Sequence, residues 1–228
     1  MEYKKNINGK LALGYGSKYQ LLRMLGWHRN EFNEIIAKTL KLENNNIKWF
    51  DFAYNGPCDS ELLNLDFIDD LKDKWRTVWK CGGSGINWDA VGQSSDGTYI
   101  FLEAKAHLSE LNSSAGGSDE SVNHNKKIIQ EFLYKYDIPK SEDEWSDNYY
   151  QLANRLIITD YVNANKKKAK LIYVLFENGY EFNREKNESA SAEEWVRAIN
   201  NELEQTGLKG TNAETIFNYC IINCNVRK

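Results

Sequence analysis

The chain has 228 residues, 13% of them aromatic, with a formal net charge of −4 and a pI near 5.6. That length and aromatic content are enough to bury one good-sized core without disulfide staples, which sets the chain apart from disordered and disulfide-scaffold classes. The acidic total excludes a surface coated in positive charge but leaves room for a local basic cleft.

The four cysteines, Cys58, Cys81, Cys220 and Cys224, match no zinc-site spacing. No apolar stretch is long enough to span a bilayer, and Met1-Glu2-Tyr3-Lys4-Lys5 opens no signal-peptide pattern, so no membrane partner is expected. Two prolines, Pro57 and Pro139, leave no Pro-rich linker. The expectation is a reduced, cytoplasmic chain forming one domain over residues 1–228, with a helical section at about 17–79.

In chain order, residues 17–41 follow helical spacing through Leu21, Leu22, Leu25, Phe32, Ile35, Ile36 and Leu40. Ser17 suits the N-cap, and Gly26 marks a point where the helix would kink or split. Trp49-Phe50-Asp51-Phe52 fits a short edge strand or a loop anchored by aromatics, with a turn at Asn55-Gly56-Pro57. The apolar set Leu62, Leu63, Leu65, Phe67, Ile68, Leu71, Trp75 and Trp79 predicts one or two helices over 60–79. Gly82-Gly83-Ser84-Gly85 lacks the Lys-Ser/Thr ending of a phosphate loop and reads as a flexible entry to the next strand.

A hairpin over about 87–107 comes next, then a polar loop over 108–118 placed to cover whatever the hairpin carries. Residues 119–136 read as a helix with Ile128, Ile129, Phe132 and Leu133 inward. Ser141–Asp147 reads as an acidic loop leading to a helix at 148–164. Residues 169–177 are a near-continuous apolar run, the mark of a central strand covered on both faces. Ser191 and Glu194 form a capping box that opens a helix to about 206, closed by Gly207. A final strand is expected over 215–226. This order gives an α/β fold with a mixed sheet and helices on both faces.

The hairpin carries the chemistry. Side chains two apart on a strand share a face, so Glu103 and Lys105 project together while Ala104 turns away. Ser95-Asp96-Gly97 suits a three-residue loop with Gly97 in the left-handed conformation. Ser94 then faces Thr98, Asp89 faces Glu103 and Asn87 faces Lys105. One face carries Asn87, Asp89, Glu103, Lys105 and His107; the other carries Trp88, Ala90, Ile100, Leu102, Ala104 and Ala106 as core. A two-residue loop would instead pair Asp89 with Leu102. Facing carboxylates repel, which calls for a cation between them or a raised pKa. Asp89 and Glu103 can hold Mg²⁺ or Mn²⁺, helped by the Ala104 carbonyl, with Lys105 orienting or deprotonating a bound water. His107 shares that face and could meet a phosphate, and Glu110 could add a carboxylate if the strand runs into a helical turn, being otherwise a loop acid. The bland alternative is a solvated strand face with a weak Glu103–Lys105 pair.

Asp89, a hairpin and then Glu103-Ala104-Lys105 resemble the signature of the PD-(D/E)xK nuclease superfamily, with Trp88 in place of the proline that usually precedes the aspartate. More narrowly, the chain resembles a bacterial family with that restriction-endonuclease-like fold. The likeness is carried by Leu21-Leu22-Arg23 through His28-Arg29, Asn87 to Gly92, Glu103 to His107, and Tyr150 to Leu156. The resemblance implies a Mg²⁺- or Mn²⁺-dependent nuclease, with DNA rather than RNA as substrate. It also implies an acid from an upstream helix to complete the metal site, here Glu61 ahead of Asp59, Glu31 and Glu34. Polar groups from a later helix, Gln151 with Asn154 and Arg155 beside it, would support the site. Enzymes that cut both strands often act as a homodimer. The fold also hosts inactive members, so a binding or assembly module stands as the alternative. A hydrolase of a small phosphorylated compound is a third reading, which an enclosed pocket would favour.

Overall fold

The apolar run at 169–177 is the middle of the structure. In the computed structural model, residues 16–50, 62–80, 85–179 and 190–224 are described. Five strands form one sheet in the order β1 (Ile47–Trp49), β4 (Ala90–Ser94), β5 (Tyr99–Lys105), β6 (Ala169–Glu177) and β7 (Phe217–Asn223). The first three pair antiparallel, and β6 and β7 add in parallel. A two-stranded ladder, β2 (Leu62–Leu63) with β3 (Asn87–Trp88), stands beside it.

Helices cover both faces of the sheet. Alternate side chains of β4, β5 and β6 (Ala90, Ile100, Leu102, Ala104, Ile172 and Val174) meet α1 (Gly16–Trp27) and α2 (Arg29–Leu40) through Leu21, Leu25, Phe32, Ile36 and Leu40. The opposite set, Val91, Phe101, Leu171, Tyr173 and Leu175, meets α3 (Lys72–Val78), α4 (Asp119–Lys135), α5 (Glu142–Asn148), α6 (Tyr150–Ala164) and α7 (Ala192–Gln205). A strand buried on both faces has no polar side to show, which is why 169–177 does not alternate. No helix among the described residues is long and apolar enough to cross a membrane.

The helical stretch at 17–41 divides at His28, just beyond Gly26, where a kink or split is expected. Two expectations need correction. The apolar set over 60–79 gives a helix only at 72–78: Leu62 and Leu63 pair with Trp88 and Asn87, and Asn64 takes a left-handed conformation (φ 46°) that ends any helical course. Asn64 also clamps the two segments. Its N–H donates to the Ile86 carbonyl, its Oδ1 accepts from the Ile86 N–H, and its carbonyl accepts from the Trp88 indole at 2.7 Å. The acidic stretch after Ser141 is helix α5, with Ser141 Oγ capping the Glu144 N–H and Trp145 buried as its anchor.

The capping box at Ser191 and Glu194 opens α7, and Gly207 (φ 71°) follows its end. The final strand is shorter than expected, preceded by a 3₁₀ turn at Asn212–Ile216. Because α1 and α2 pack on the sheet and the 17–79 section supplies β1 and β2, that section is part of the same layered body.

Candidate active site

The hairpin between β4 and β5 has the three-residue loop. The Ser94 N–H donates to the Thr98 carbonyl at 3.0 Å, Gly97 sits at φ 84°, and Ala90 pairs with Leu102. One further step of this register would set Asp89 opposite Glu103, but the pairing ends at Ala90.

Asp89 is not part of the ladder. The chain bends there, and its Oδ2 accepts the Ala104 N–H at 2.7 Å, filling the place of a strand carbonyl. The bend reverses the alternation before it. Trp88 therefore lies on the same side as Phe101, ring centroids 4.7 Å apart, and not with Ala90 and Leu102 as strict alternation predicts.

Glu103 and Lys105 are both almost fully buried at the end of β5. Glu103 Oε1 accepts from Lys105 Nζ at 2.9 Å and from Gln151 Nε2 at 2.7 Å; its Oε2 accepts from Arg155 Nε at 2.9 Å. Lys105 also donates to Gln151 Oε1 and lies 5.9 Å from the centre of the Tyr173 ring. Gln151 and Arg155 are four apart on α6 and so share a face. Arg155 spreads its remaining donors to Asn154 Oδ1 and the Asn87 carbonyl, with its guanidinium 4.7 Å over the Trp88 ring.

The charges couple strongly. Burial, reinforced by the Glu103 charge, holds the Asp89 carboxyl well above the usual carboxylate range, against the pull of Lys105 and the Ala104 N–H. Burial also acts to raise Glu103, but Arg155 and Lys105 together outweigh it and leave Glu103 low. Burial opposes the charge on Lys105, while Glu103 and Asp89 overcome it and raise Lys105.

A cleft of about 460 Å³ opens onto this cluster. Asp89, Glu103, Asn87, Gln151 and Arg155 line it, together with Ser113 and Gly116 from the polar loop after the hairpin. Ser113 Oγ accepts the Gln151 N–H at 2.7 Å, so that loop positions α6 as well as walling the cleft.

Other candidates sit elsewhere. His107 caps the 3₁₀ turn Leu108–Leu111, with Nδ1 2.8 Å from Ser109 Oγ and Nε2 3.4 Å from Glu110. Glu110 Oε1 accepts the N–H groups of Ala106 and His107, and its Oε2 accepts from Ser17. Neither residue lines the cleft; Glu110 ties β5 to α1. Glu31 and Glu34 are on α2, across the sheet from the cleft. Asp59 and Glu61 lie outside the described residues. Among the described residues no three His, Cys, Asp or Glu side chains gather as a ligand set.

Trp79, Ile86, Tyr150 and Asn154 join the cleft without a catalytic signal in the sequence. Trp79 reads as core from its spacing, and Asn154 is visible there only as a neighbour of Arg155. Comparison with protein-family models, with curated proteins and with solved structures returned no match to this chain.

Proposed function

We propose that the chain is a divalent-metal-dependent nuclease of restriction-endonuclease-like fold that hydrolyses phosphodiester bonds, in DNA rather than RNA. The observation that carries this reading is Asp89, bent out of the ladder beside Glu103, with Lys105 two residues along on the same strand.

The donor set fits a hard cation. Asp89 uses one oxygen on Ala104, and its Oδ1 has no hydrogen bond among the described residues. Mg²⁺ is commonly held by one or two carboxylates, with water and substrate oxygens completing six ligands. Asp89 and Glu103 would hold it, Glu103 releasing one of its present donors. A bound Mg²⁺ or Mn²⁺ supplies a water of lowered pKa and neutralises charge on the phosphate. Lys105 would screen the phosphate and orient the attacking water, turning from its present bonds to Glu103 and Gln151. Gln151 holds Lys105 and Glu103 in register, and Arg155 steadies Glu103.

The alternative, an inactive module used for binding or assembly, is favoured by one feature. Both Glu103 oxygens already have donors, so the ion-pair network is complete without a cation. Cleavage of circular DNA, linear DNA and labelled RNA with Mg²⁺ or Mn²⁺ separates the two. The nuclease reading expects metal-dependent cutting that Asp89→Ala abolishes. Cutting unchanged by Asp89→Ala would refute it.

A further inference from the structure

The charged residues lining the cleft, among the described residues, are Lys80, Asp89, Glu103 and Arg155. Arg155 pairs with Glu103, Glu103 also takes the buried Lys105, and Asp89 accepts the Ala104 N–H. In formal charge the two acids offset Arg155 and Lys105. Lys80 is the surplus. It is exposed, and its side chain has no ion pair or hydrogen bond among the described residues. On a chain of net charge −4, an unspent positive charge therefore stands at the mouth of this cleft.

An exposed lysine alone is ordinary solvated surface, but this one is fixed at its root. Asn125 on α4 is buried; its Oδ1 accepts the Lys80 N–H at 2.9 Å, and its Nδ2 donates to the Lys80 carbonyl at 2.8 Å. The same Nδ2 donates to the Tyr150 hydroxyl at 3.1 Å, which joins Lys80 to the start of α6, the helix whose Gln151 and Arg155 hold Glu103. One residue earlier on α4, His124 Nε2 lies 2.8 Å from the Val78 carbonyl. Between these two ties Trp79 is buried and stacks on Trp75. The backbone at Val78–Lys80 is thus held to α4, and the Lys80 side chain is the part left to move. Holding the root of a long side chain lowers the ordering cost of any contact its head makes. A held stem with an unpaired ammonium suits phosphate, which lysine serves as a point charge.

We propose that Lys80 anchors a backbone phosphate of the nucleic-acid substrate at the mouth of the cleft, beside the phosphate that is hydrolysed. The inference rests on the nuclease reading and narrows it to a polymeric substrate. The scissile phosphate belongs with Asp89, Glu103 and Lys105, of which Glu103 and Lys105 are buried; Lys80 is exposed and meets another phosphate of the same chain. Contacts of this kind fix the position of the backbone and carry no sequence information.

The test is the salt dependence of binding to a short labelled DNA duplex. It is made in EDTA with Asp89→Asn protein, so that nothing is cut and no bare Asp89 carboxylate repels the backbone. Into that protein are placed Lys80→Ala, Lys80→Arg and, as a control, Lys38→Ala, an exposed lysine on α2 across the sheet from the cleft. Lys80→Ala should weaken binding severalfold at low salt and flatten the plot of log affinity against log salt by about 0.9, the share of one duplex phosphate. Lys80→Arg should restore both, Lys38→Ala should change neither, and the loss should be the same for unrelated sequences. Affinity and slope unchanged by Lys80→Ala, or no binding by the Asp89→Asn protein, overturns the proposal. So does an equal loss in Lys38→Ala, which would assign binding to diffuse surface charge. Metal-dependent cutting by otherwise unaltered protein, with a KM for DNA that Lys80→Ala leaves unchanged, would sink the anchor and leave the nuclease reading standing. Lys80-dependent binding without any cutting would do the reverse.

Discussion

Arg155 donates from Nε to Glu103 Oε2 at 2.9 Å, with both side chains at least 95% buried. Lys105 holds the other oxygen. A carboxylate so enclosed depends on its partners, because desolvation of an ion is repaid only by well-placed opposite charge and hydrogen bonds.

Replacing Arg155 should therefore unfold the protein more easily. Arg155→Ala removes half the compensation of Glu103 and the contact with Trp88, and is expected to destabilise by about 3–5 kcal/mol. Arg155→Lys should recover only part of this, since an ammonium cannot reach Glu103, Asn154 and the Asn87 carbonyl at once. Urea unfolding of the three proteins checks the order.

Glu202 on α7 should make stability fall as pH rises. It is 4% exposed, and neither carboxyl oxygen has a hydrogen-bond partner among the described residues. Burial raises its pKa from 4.5 to about 7, with Lys105 pulling the other way. The folded state thus holds this proton more tightly than the unfolded chain. The penalty is absent below about pH 4.5, grows as pH rises, and is complete above about pH 7. By linkage it reaches the order of 3 kcal/mol. Glu202→Gln is expected to stabilise at pH 8 and to change little at pH 4.5. Denaturant midpoints at the two pH values measure this; an equal shift at both would rule out the titration.

The hairpin turn should be sensitive at one position. Gly97 sits at φ 84°, and a Cβ added there would meet only open space, so any penalty is conformational and not a clash. Gly97→Val should destabilise by about 1–2 kcal/mol, the cost of forcing an L residue into the left-handed region. Gly92→Ala fails for the opposite reason. Its Cβ would approach Ile47 Cγ2 to 2.9 Å and Trp49 Cε3 to 3.0 Å, an overpacking expected to cost about 1–3 kcal/mol. Thermal melting of both variants gives the comparison.

Local rules make some features readable from sequence alone. The 169–177 strand shows as an unbroken apolar run, α7 as a capping box, and the hairpin register as the Ser95-Asp96-Gly97 loop that places Ala90 opposite Leu102. What escapes depends on partners distant in the chain. The bend at Asp89 is made by a bond to Ala104, fifteen residues away, and it alone moves Trp88 to the other face. Leu62 and Leu63 have helical spacing, but Asn87 and Trp88 claim their backbone. Helix α5 is dense in acids and has one apolar anchor, Trp145, whose indole donates to the Thr206 carbonyl sixty-one residues on. His107 and Glu110 share the strand end with the site residues, yet a 3₁₀ turn starting at Leu108 redirects them into a capping box.

Divalent-ion binding tests the proposed site most directly, because it does not depend on choosing the right substrate. Mn²⁺ would be titrated into the parent, Asp89→Asn and Lys105→Ala proteins, with binding followed by calorimetry. The account predicts saturable binding in the parent, its loss in Asp89→Asn, and binding at least as tight in Lys105→Ala, where a repelling positive charge is gone. Absence of binding in the parent, or binding that Asp89→Asn leaves unchanged, would contradict it.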